Sequence, residues 1–189
     1  MIDQLFRVCA TIHPLSGELK SAIAALTVRQ ELPRHTLLLA EGKVCSHLHF
    51  IGKGLARAFH FRDGQEVTAW FMRENDMVIS VHSFYRQKPS HENVELLEDS
   101  VVVSLEYKNL QQLYRQFPEF NFIGRVLTEH YYALSEERAI ALRTHTAQER
   151  YEGLLQTHPE FFNRVPLKQI ASYLGMAPET LSRLRRKVK

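Results

Sequence analysis

The chain has 189 residues, 44% of them hydrophobic and 24% charged, which excludes a disordered protein and leaves room for one large domain or two smaller units. It contains no run of about 18 apolar residues and no basic, apolar leader after Met1, so we expect no membrane segment and a cytoplasmic protein. The net charge is only +3, but five basic residues stand near the C-terminus and predict a polyanionic partner there, a solvated basic tail being the plainer alternative: Arg183, Arg185, Arg186, Lys187 and Lys189.

The first half of the chain has a short helix followed by strand signals. Apolar spacing predicts an amphipathic helix from Leu15 to Val28 with Ser16 as its N-cap. The later apolar runs are short and separated by turn signals, the strongest of which is the hairpin sequence Asp63-Gly64. Many short strands at regular spacing predict an antiparallel barrel or jelly roll. The expected strands cover residues 36–40, 48–51, 55–61, 67–72, 77–81, 94–97 and 101–105.

Helical spacing returns after Glu106. We predict one helix over residues 107–116, ended by Pro118, a long helix over residues 119–145, and a short one over residues 148–156. The apolar stripe of the long helix is longer than one small barrel can cover, which predicts pairing with its copy in a homodimer; burial against the chain's own barrel is the alternative. The predicted dimer interface is Ile123, Val126, Leu127, His130 and Leu134.

Two short helices are predicted at the C-terminus, over residues 167–174 and 178–188, with a turn at Gly175. In the second helix Leu181, Leu184 and Val188 share one side, and polar residues occupy another. This predicts a helix-turn-helix, because Arg, Glu and Ser side chains can bond to base edges or phosphates in a DNA major groove; a solvated amphipathic helix is the alternative. The predicted DNA-binding residues are Glu179, Ser182, Arg183, Arg186 and Lys187.

The segment from Val165 to Lys187, VPLKQIASYLGMAPETLSRLRRK, resembles the DNA-binding motif of the catabolite activator (cyclic-AMP receptor) and fumarate/nitrate-reduction regulator family. The barrel is similar too, since Glu41-Gly42, the run LHFIGKG from Leu48, the Asp63-Gly64 hairpin and the stretch from Phe71 occur in the order of that family's cyclic-nucleotide-binding fold. The resemblance covers nearly the entire chain. It implies a homodimeric bacterial transcription regulator in which Glu179 and Arg183 read base edges.

The expected fold is α+β, with a β-roll sensor domain at residues 1–118, a dimerisation helix at 119–146 and a helix-turn-helix domain at 147–189. Because the chain stops at Lys189, we do not expect the complete strand hairpin that many members of the family carry after the second helix. The expected partners are double-stranded DNA and a second subunit. RNA polymerase and an unidentified small-molecule effector are further candidates.

The resemblance fails where a cyclic nucleotide would bind. The family holds the ribose and phosphate with a Gly-Glu pair and, further along, with an Arg and a small hydroxyl residue. The matching positions here are Ser80-Val81 and His91-Glu92. A carboxylate would repel the phosphate and a valine cannot accept the ribose hydroxyl, so we predict no useful affinity for cyclic AMP. The predicted effector pocket is Ser80, Val81, His82, His91 and Glu92.

The cysteines, the histidines and the basic tail also suggest cofactor, metal and protein binding as alternatives. Cys9 and Cys45 are too few for an iron–sulfur cluster, and we predict reduced, half-buried thiols and no cofactor; haem, which needs only an axial pair, stays open. His47 and His49 alternate along one strand, as in a metal-dependent cupin enzyme, but the acidic third ligand is missing and strand histidines at a barrel surface are the plainer interpretation. We therefore expect no catalysis. A third alternative is a module whose basic tail binds an acidic protein.

Overall fold

The structure is a computed structural model that describes residues 1–187 and the side chains of residues 1–186. Val188, predicted on the apolar side of the last helix, and the side chain of Lys187 lie outside this description. The chain forms two compact units. The first contains residues 1–58 and 71–129, and the second contains residues 59–70 and those from 130 onward.

Two helices precede the strands. Helix α1 spans Ile2–Ala10 and helix α2 spans Gly17–Leu26. The predicted cap is confirmed, because the Ser16 Oγ accepts a hydrogen bond from the Leu19 N–H at 3.1 Å. The predicted helix is two residues too long at its end, since β1 begins at Thr27 and pairs with a strand that follows more than 70 residues later. That long-range pairing overrides the local helical spacing.

In the described part of the chain, eight strands form two four-stranded sheets, which confirms the predicted β-roll; a strand occurs at each of the seven predicted places, one of them shortened, and β1 is added. The sheet orders are β1-β8-β3-β6 and β2-β7-β4-β5. Both sheets contribute fully buried side chains, such as Phe50 and Leu96, as expected where two inner faces meet. The strands are β1 (Thr27–Leu32), β2 (Leu37–Leu39), β3 (His47–Lys53), β4 (Ala56–Arg62), β5 (Gln65–Met72), β6 (Met77–Val78), β7 (Asn93–Leu96) and β8 (Ser100–Glu106).

The turn between β4 and β5 is the predicted hairpin. Asp63 and Gly64 both have positive φ, 52° and 74°, the combination that a tight two-residue hairpin turn requires. The strand predicted over residues 77–81 is wrong beyond Val78, because Val81 begins a short helix, α3 (Val81–Arg86). The Ser83 hydroxyl, buried in α3, accepts a hydrogen bond from the Cys45 N–H at 2.8 Å. Contacts distant in sequence thus fix a helix on residues with strand propensity.

Between β8 and residue 187, six helices follow, and they include every helix predicted beyond Glu106. The change from α4 to α5 falls at Pro118, as predicted, and α6 begins with a capping box in which Thr146 and Glu149 bond each other's backbone N–H. No helix in the described part of the chain is long and apolar enough to cross a membrane. The helices are α4 (Tyr107–Gln116), α5 (Pro118–Thr144), α6 (Ala147–Thr157), α7 (Phe161–Arg164), α8 (Leu167–Tyr173) and α9 (Pro178–Lys187).

The two cysteines are buried more deeply than predicted. Cys9 is 2% exposed and Cys45 is 5% exposed, and neither forms a disulfide. Burial raises the pKa of the Cys9 thiol to about 11 and also raises the pKa of Cys45. Both side chains therefore behave as small apolar groups of the core rather than as reactive thiols.

Candidate nucleic-acid interface and effector loop

The turn between α8 and α9 depends on Gly175. This glycine has φ +64°, and the Gly175 and Met176 N–H groups bond to the carbonyl oxygens of Ser172 and Ala171, each at 3.0 Å. That pair of bonds is the Schellman ending of a helix, which favours glycine at the left-handed position. An added Cβ at Gly175 would also lie 3.0 Å from the Leu142 side chain of α5. The predicted glycine turn is confirmed.

Helix α9 has one buried and one open side. Leu181 is fully buried and Leu184 is 9% exposed, whereas four of the five predicted DNA-binding residues lie away from that side. The Lys187 side chain is not among the described ones. The structure therefore brings the four residues together on one helix, exposing Glu179, Arg183 and Arg186 and leaving Ser182 half-buried.

The sequence around this helix pair is strongly basic. From residue 161 to residue 187 the only acidic residue is Glu179, against six basic ones. Lys168 on α8 is exposed, as are Arg183 and Arg186 on α9, and Arg164 and Arg185 are half-buried. This concentration of cations within one small unit is the charge pattern of a nucleic-acid-binding surface.

Two arginines bond to the end of α8. The Arg138 Nη2 donates to the Tyr173 carbonyl at 2.7 Å, and the Arg150 guanidinium donates to the carbonyl oxygens of Leu174 and Gly175 at 2.7 and 3.3 Å. The last carbonyls of a helix lack partners within the helix, and a cation at that end also interacts favourably with the helix dipole. Sequence reasoning missed both arginines, because nothing local indicates which distant carbonyl a basic side chain will bond.

The predicted effector residues divide into buried and exposed groups. Ser80 is 2% exposed, and its Oγ lies 3.1 Å from the Oγ of Ser90, a residue that sequence reasoning missed. Val81 is 62% exposed, and the exposed imidazoles of His82 and His91 have ring centroids 5.7 Å apart. Glu92 is half-buried. The structure therefore places residue 80 beside residue 90, whose hydroxyl also bonds the Glu92 backbone, and residue 82 beside residue 91.

The roll contains a buried cation that the sequence did not reveal. Arg57 on β4 is 2% exposed, and its Nε donates to the Glu95 carboxylate on β7 at 2.9 Å, with a second, shorter bond from its Nη2. The available signal was weak: one arginine between Ala56 and Ala58 in an otherwise apolar strand. Two other cations lie in the segment between Val81 and His91, and both Arg86 and Lys88 are exposed.

The strand histidines belong to a hydrogen-bond chain. The Nδ1 of His49 lies 2.8 Å from the Ser104 Oγ, which donates to the Gln30 side chain at 3.1 Å. Burial, and secondarily the charge of His47, lowers the pKa of His49 to about 4. Among the described residues, no group of three or more His, Cys, Asp or Glu side chains is placed to hold a metal ion.

Two surface cavities adjoin the β1-β8-β3-β6 sheet. One has a volume of about 220 Å³ and is lined partly by Gln30, His47 and Glu106. The other has a volume of about 430 Å³ and is lined partly by Met1 and Arg29. None of the five predicted effector residues lines either cavity.

The residues predicted for the dimer interface differ in exposure along α5. Ile123 is fully buried within its own chain, Val126, Leu127 and Leu134 are half-buried, and His130 is exposed. The helix also exposes large apolar side chains that the prediction did not include: Phe122, Tyr132, Ile140 and Leu142, which are 42%, 68%, 52% and 42% exposed.

Comparison with known proteins shows the fold and a similarity to one domain family. The family model of the cyclic nucleotide-binding domain matches residues 29–117, and no curated protein sequence matches the chain. Among solved structures, the c-di-GMP-responsive global regulator CLP of Xanthomonas campestris superimposes with a TM-score of 0.72 at 16% identity, over 92% of this chain and 91% of that one. FixK2 of Bradyrhizobium japonicum gives 0.71 at 19%, over 86% and 84% of the two chains.

The catabolite activator protein of Thermus thermophilus gives a TM-score of 0.59 at 17% identity, over 94% of this chain and 85% of that one. A further neighbour is a regulator of the Crp/Fnr family from Eubacterium rectale, with a TM-score of 0.70 at 16% identity, over 92% and 83%. At such identities the likeness shows the fold. Residues 29–117 are therefore similar to the cyclic nucleotide-binding domain, and the chain has the fold of the Crp/Fnr and catabolite activator regulators.

Proposed function

We propose that this protein is a sequence-specific DNA-binding transcription regulator that acts as a homodimer, with α8 and α9 as its helix-turn-helix. One observation carries the proposal: α9 buries Leu181 and Leu184 and leaves Glu179, Arg183 and Arg186 open. A helix fixed by its apolar side, with free cations on the other, can enter a DNA groove without first uncovering its contact residues.

The position along α9 assigns the roles. In helix-turn-helix docking the N-terminal part of the second helix enters the major groove, and its later part emerges beside the backbone. Glu179, Ser182 and Arg183 are therefore proposed to read base edges, with the arginine bonded to a guanine and the glutamate to a cytosine. Arg186 and Lys187 are proposed to contact phosphates, which position the protein without reading sequence.

We further propose the domain order of a β-roll at residues 1–118, a dimerisation helix at 119–146 and a DNA-binding domain at 147–189. The exposed Tyr132 and Ile140 on α5 support pairing of this helix with its copy, because exposed apolar side chains along one helix favour a partner helix. A twofold dimer implies an operator of two inverted half-sites about one helical turn apart. RNA polymerase is the further partner that regulation of transcription would require.

The roll is proposed to respond to an effector other than cyclic AMP, held at the loop of Ser80, Val81, His82, His91 and Glu92. Ser80 is already paired with Ser90, Val81 offers no polar atom, and the buried cation Arg57 is neutralised by Glu95. The Glu92 carboxylate would repel a phosphodiester. Titration calorimetry with cyclic AMP should give no binding heat, and a micromolar dissociation constant would contradict the proposal.

The function is tested by selecting bound duplexes from a random DNA library with the full chain at two salt concentrations. The expected result is an inverted repeat whose affinity falls steeply with salt, far above that of random DNA. Lys20→Ala, which removes an exposed cation on α2, is the matched control and should leave selection unchanged. Equal affinity for all duplexes would mean that the basic surface binds DNA without reading its sequence. Binding to acidic proteins but not to DNA would favour a protein-binding module.

A further inference from the structure

An arginine of α5 lies between two aromatic rings from distant parts of the chain. The guanidinium carbon of Arg138 is 3.7 Å from the ring centroid of Tyr173 on α8 and 6.0 Å from that of Trp70 on β5. The same side chain donates to the Tyr173 carbonyl at 2.7 Å. A planar cation stacked on an aromatic ring is attracted by the ring's negative face, and more strongly when it is half-buried. Arg138 thereby joins β5, α5 and α8.

A serine of α8 makes a second connection to the same strand. The Ser172 Oγ accepts a hydrogen bond from the Thr68 N–H at 3.0 Å and donates to the Glu66 carbonyl at 3.3 Å. The hydroxyl thus bonds the backbone of β5 with both its donor and its acceptor, as a neighbouring strand would. Because Tyr173 and Ser172 are adjacent, the end of α8 is held from the hairpin and from α5 together.

These contacts fix α8 without covering α9. Glu179, Arg183 and Arg186 stay exposed while Arg138 and Ser172 are bonded. The contacts are therefore compatible with DNA on the open side of α9 and do not block it. A helix pair that is already ordered loses less conformational freedom on binding, and its apparent affinity is not reduced by the population of misplaced conformers.

We infer that Arg138 and Ser172 are positioning residues for DNA recognition: through α8 they hold α9 in the place that the operator requires, although neither touches DNA. The inference rests on the proposed DNA-binding function and names what sets the affinity of that same site. In a homodimer the α9 helices of both subunits must be positioned, one at each half-site. Loss of this positioning should therefore weaken binding to the operator more than binding to random DNA.

The test uses the full chain and the duplex selected from the random library. Ser172→Ala should weaken operator binding about threefold and Arg138→Gln about tenfold, with the ranking of single-base operator changes unaltered. Ser172→Thr, which keeps the hydroxyl, should restore binding, and Arg138→Lys should fall between Gln and wild type. Ser135→Ala, at an exposed serine of α5, is the matched control and should bind as wild type.

Trp70, the single tryptophan of the chain, reports directly on the contact with Arg138, both in the free protein and in the operator complex. Iodide quenching of its emission should be the same in the free protein and in the operator complex, because the contact with Arg138 persists in both. It should increase in Arg138→Gln and Ser172→Ala. Ser172→Ala decides the test if Arg138→Gln fails to fold, since alanine favours the helix.

Several outcomes would overturn the inference. Unchanged operator affinity in both variants would show that the contacts do not position the helix pair. Tighter binding, or a rise in Trp70 quenching when the operator binds, would show that the contacts must open and are inhibitory. A failure of wild type to prefer any duplex would instead overturn the proposed function itself, and the inference with it.

Discussion

Arg57 is buried in the roll, Arg138 and Arg150 are half-buried in the second unit, and these arginines meet different partners. In the roll, Arg57 is paired with the Glu95 carboxylate between neighbouring strands. In the second unit, Arg138 meets a backbone carbonyl and two aromatic rings, and Arg150 bonds to the last carbonyls of α8. In a buried ion pair the two charges neutralise each other, whereas a guanidinium bonded to carbonyl oxygens links separate segments of the chain. The roll thus pairs its buried arginine with a counter-charge, and the second unit uses its arginines to link α5 and α6 to the end of α8.

The largest effect is expected from breaking the buried pair. Glu95→Leu leaves the Arg57 guanidinium buried without its counter-charge and should lower the free energy of unfolding by about 3–5 kcal/mol, measured by urea denaturation. The double variant Arg57→Met/Glu95→Leu should recover most of that loss, because no charge then remains buried. Glu31→Leu removes a partner from the exposed Arg29 pair and should cost less than about 1 kcal/mol. Equal losses for the two glutamates would contradict the comparison.

A second effect in the roll depends on pH. The pKa of His49 is about 4 in the folded chain against an ordinary 6.5, so the unfolded chain takes up this proton at higher pH. The stability linked to His49 is fully present above pH 6.5 and is lost as the pH falls toward 4, by about 3 kcal/mol. Urea denaturation between pH 7.5 and 4 measures it. His49→Gln should show a shallower pH dependence, and a slope identical to that of wild type would exclude His49 as its source.

Exposed arginines of α9 provide the third case, in which the proposed partner is DNA. Arg183→Ala should cost about 1–3 kcal/mol per half-site and relax the preference at one base pair, because a two-pronged guanine contact is lost. Arg186→Ala should weaken all duplexes by a similar factor and reduce the salt dependence, as expected for a phosphate contact. Binding of both variants to single-base operator changes at two salt concentrations separates the roles. If Arg183→Ala left the ranking intact, Arg183 would be a backbone contact.

The smallest expected effect is on stability, and it tests whether the turn between α8 and α9 needs glycine. Gly175→Ala places a Cβ at positive φ and beside Leu142, and should lower the free energy of unfolding by about 1–2 kcal/mol. Gly153→Ala in α6, where a Cβ would meet no atom within 4 Å, should instead raise it by about 0.5–1 kcal/mol. Thermal unfolding of the pair compares them directly, and a change of the same sign in both would mean that the turn does not need glycine.

The sequence predicted the β-roll and the later helices well, because their signals act locally. Ser16 caps α2, Pro118 marks the change to α5, and Gly175 ends α8. Each of these signals bonds or restricts residues within about one helical turn. The residues at the open side of α9 follow from the same periodicity, and their role in DNA binding stays a prediction.

The effector loop shows where local reasoning ends. The apolar run that favoured a strand through Val81 competes with the burial of Ser83 and its bond to Cys45, whose position depends on the whole roll. Ser80 was placed in a ligand pocket because of its alignment, and only the structure shows its hydroxyl beside Ser90. The residues that position Ser80 and Ser83 are not their near neighbours along the chain and lie outside the short window in which a sequence pattern can be recognised.

Composition, periodicity and a few turn residues therefore determined which segments become helices and strands and which helix side is free. Tertiary structure alone decided the pairing of β1 with β8, the neutralisation of Arg57 by Glu95, and the junction of Trp70, Arg138 and Tyr173. The partners in these contacts are separated by 35 or more residues along the chain. Secondary structure forms from interactions between near neighbours, whereas the partner of a buried charge is selected by whichever distant segment the packed core brings within hydrogen-bonding distance.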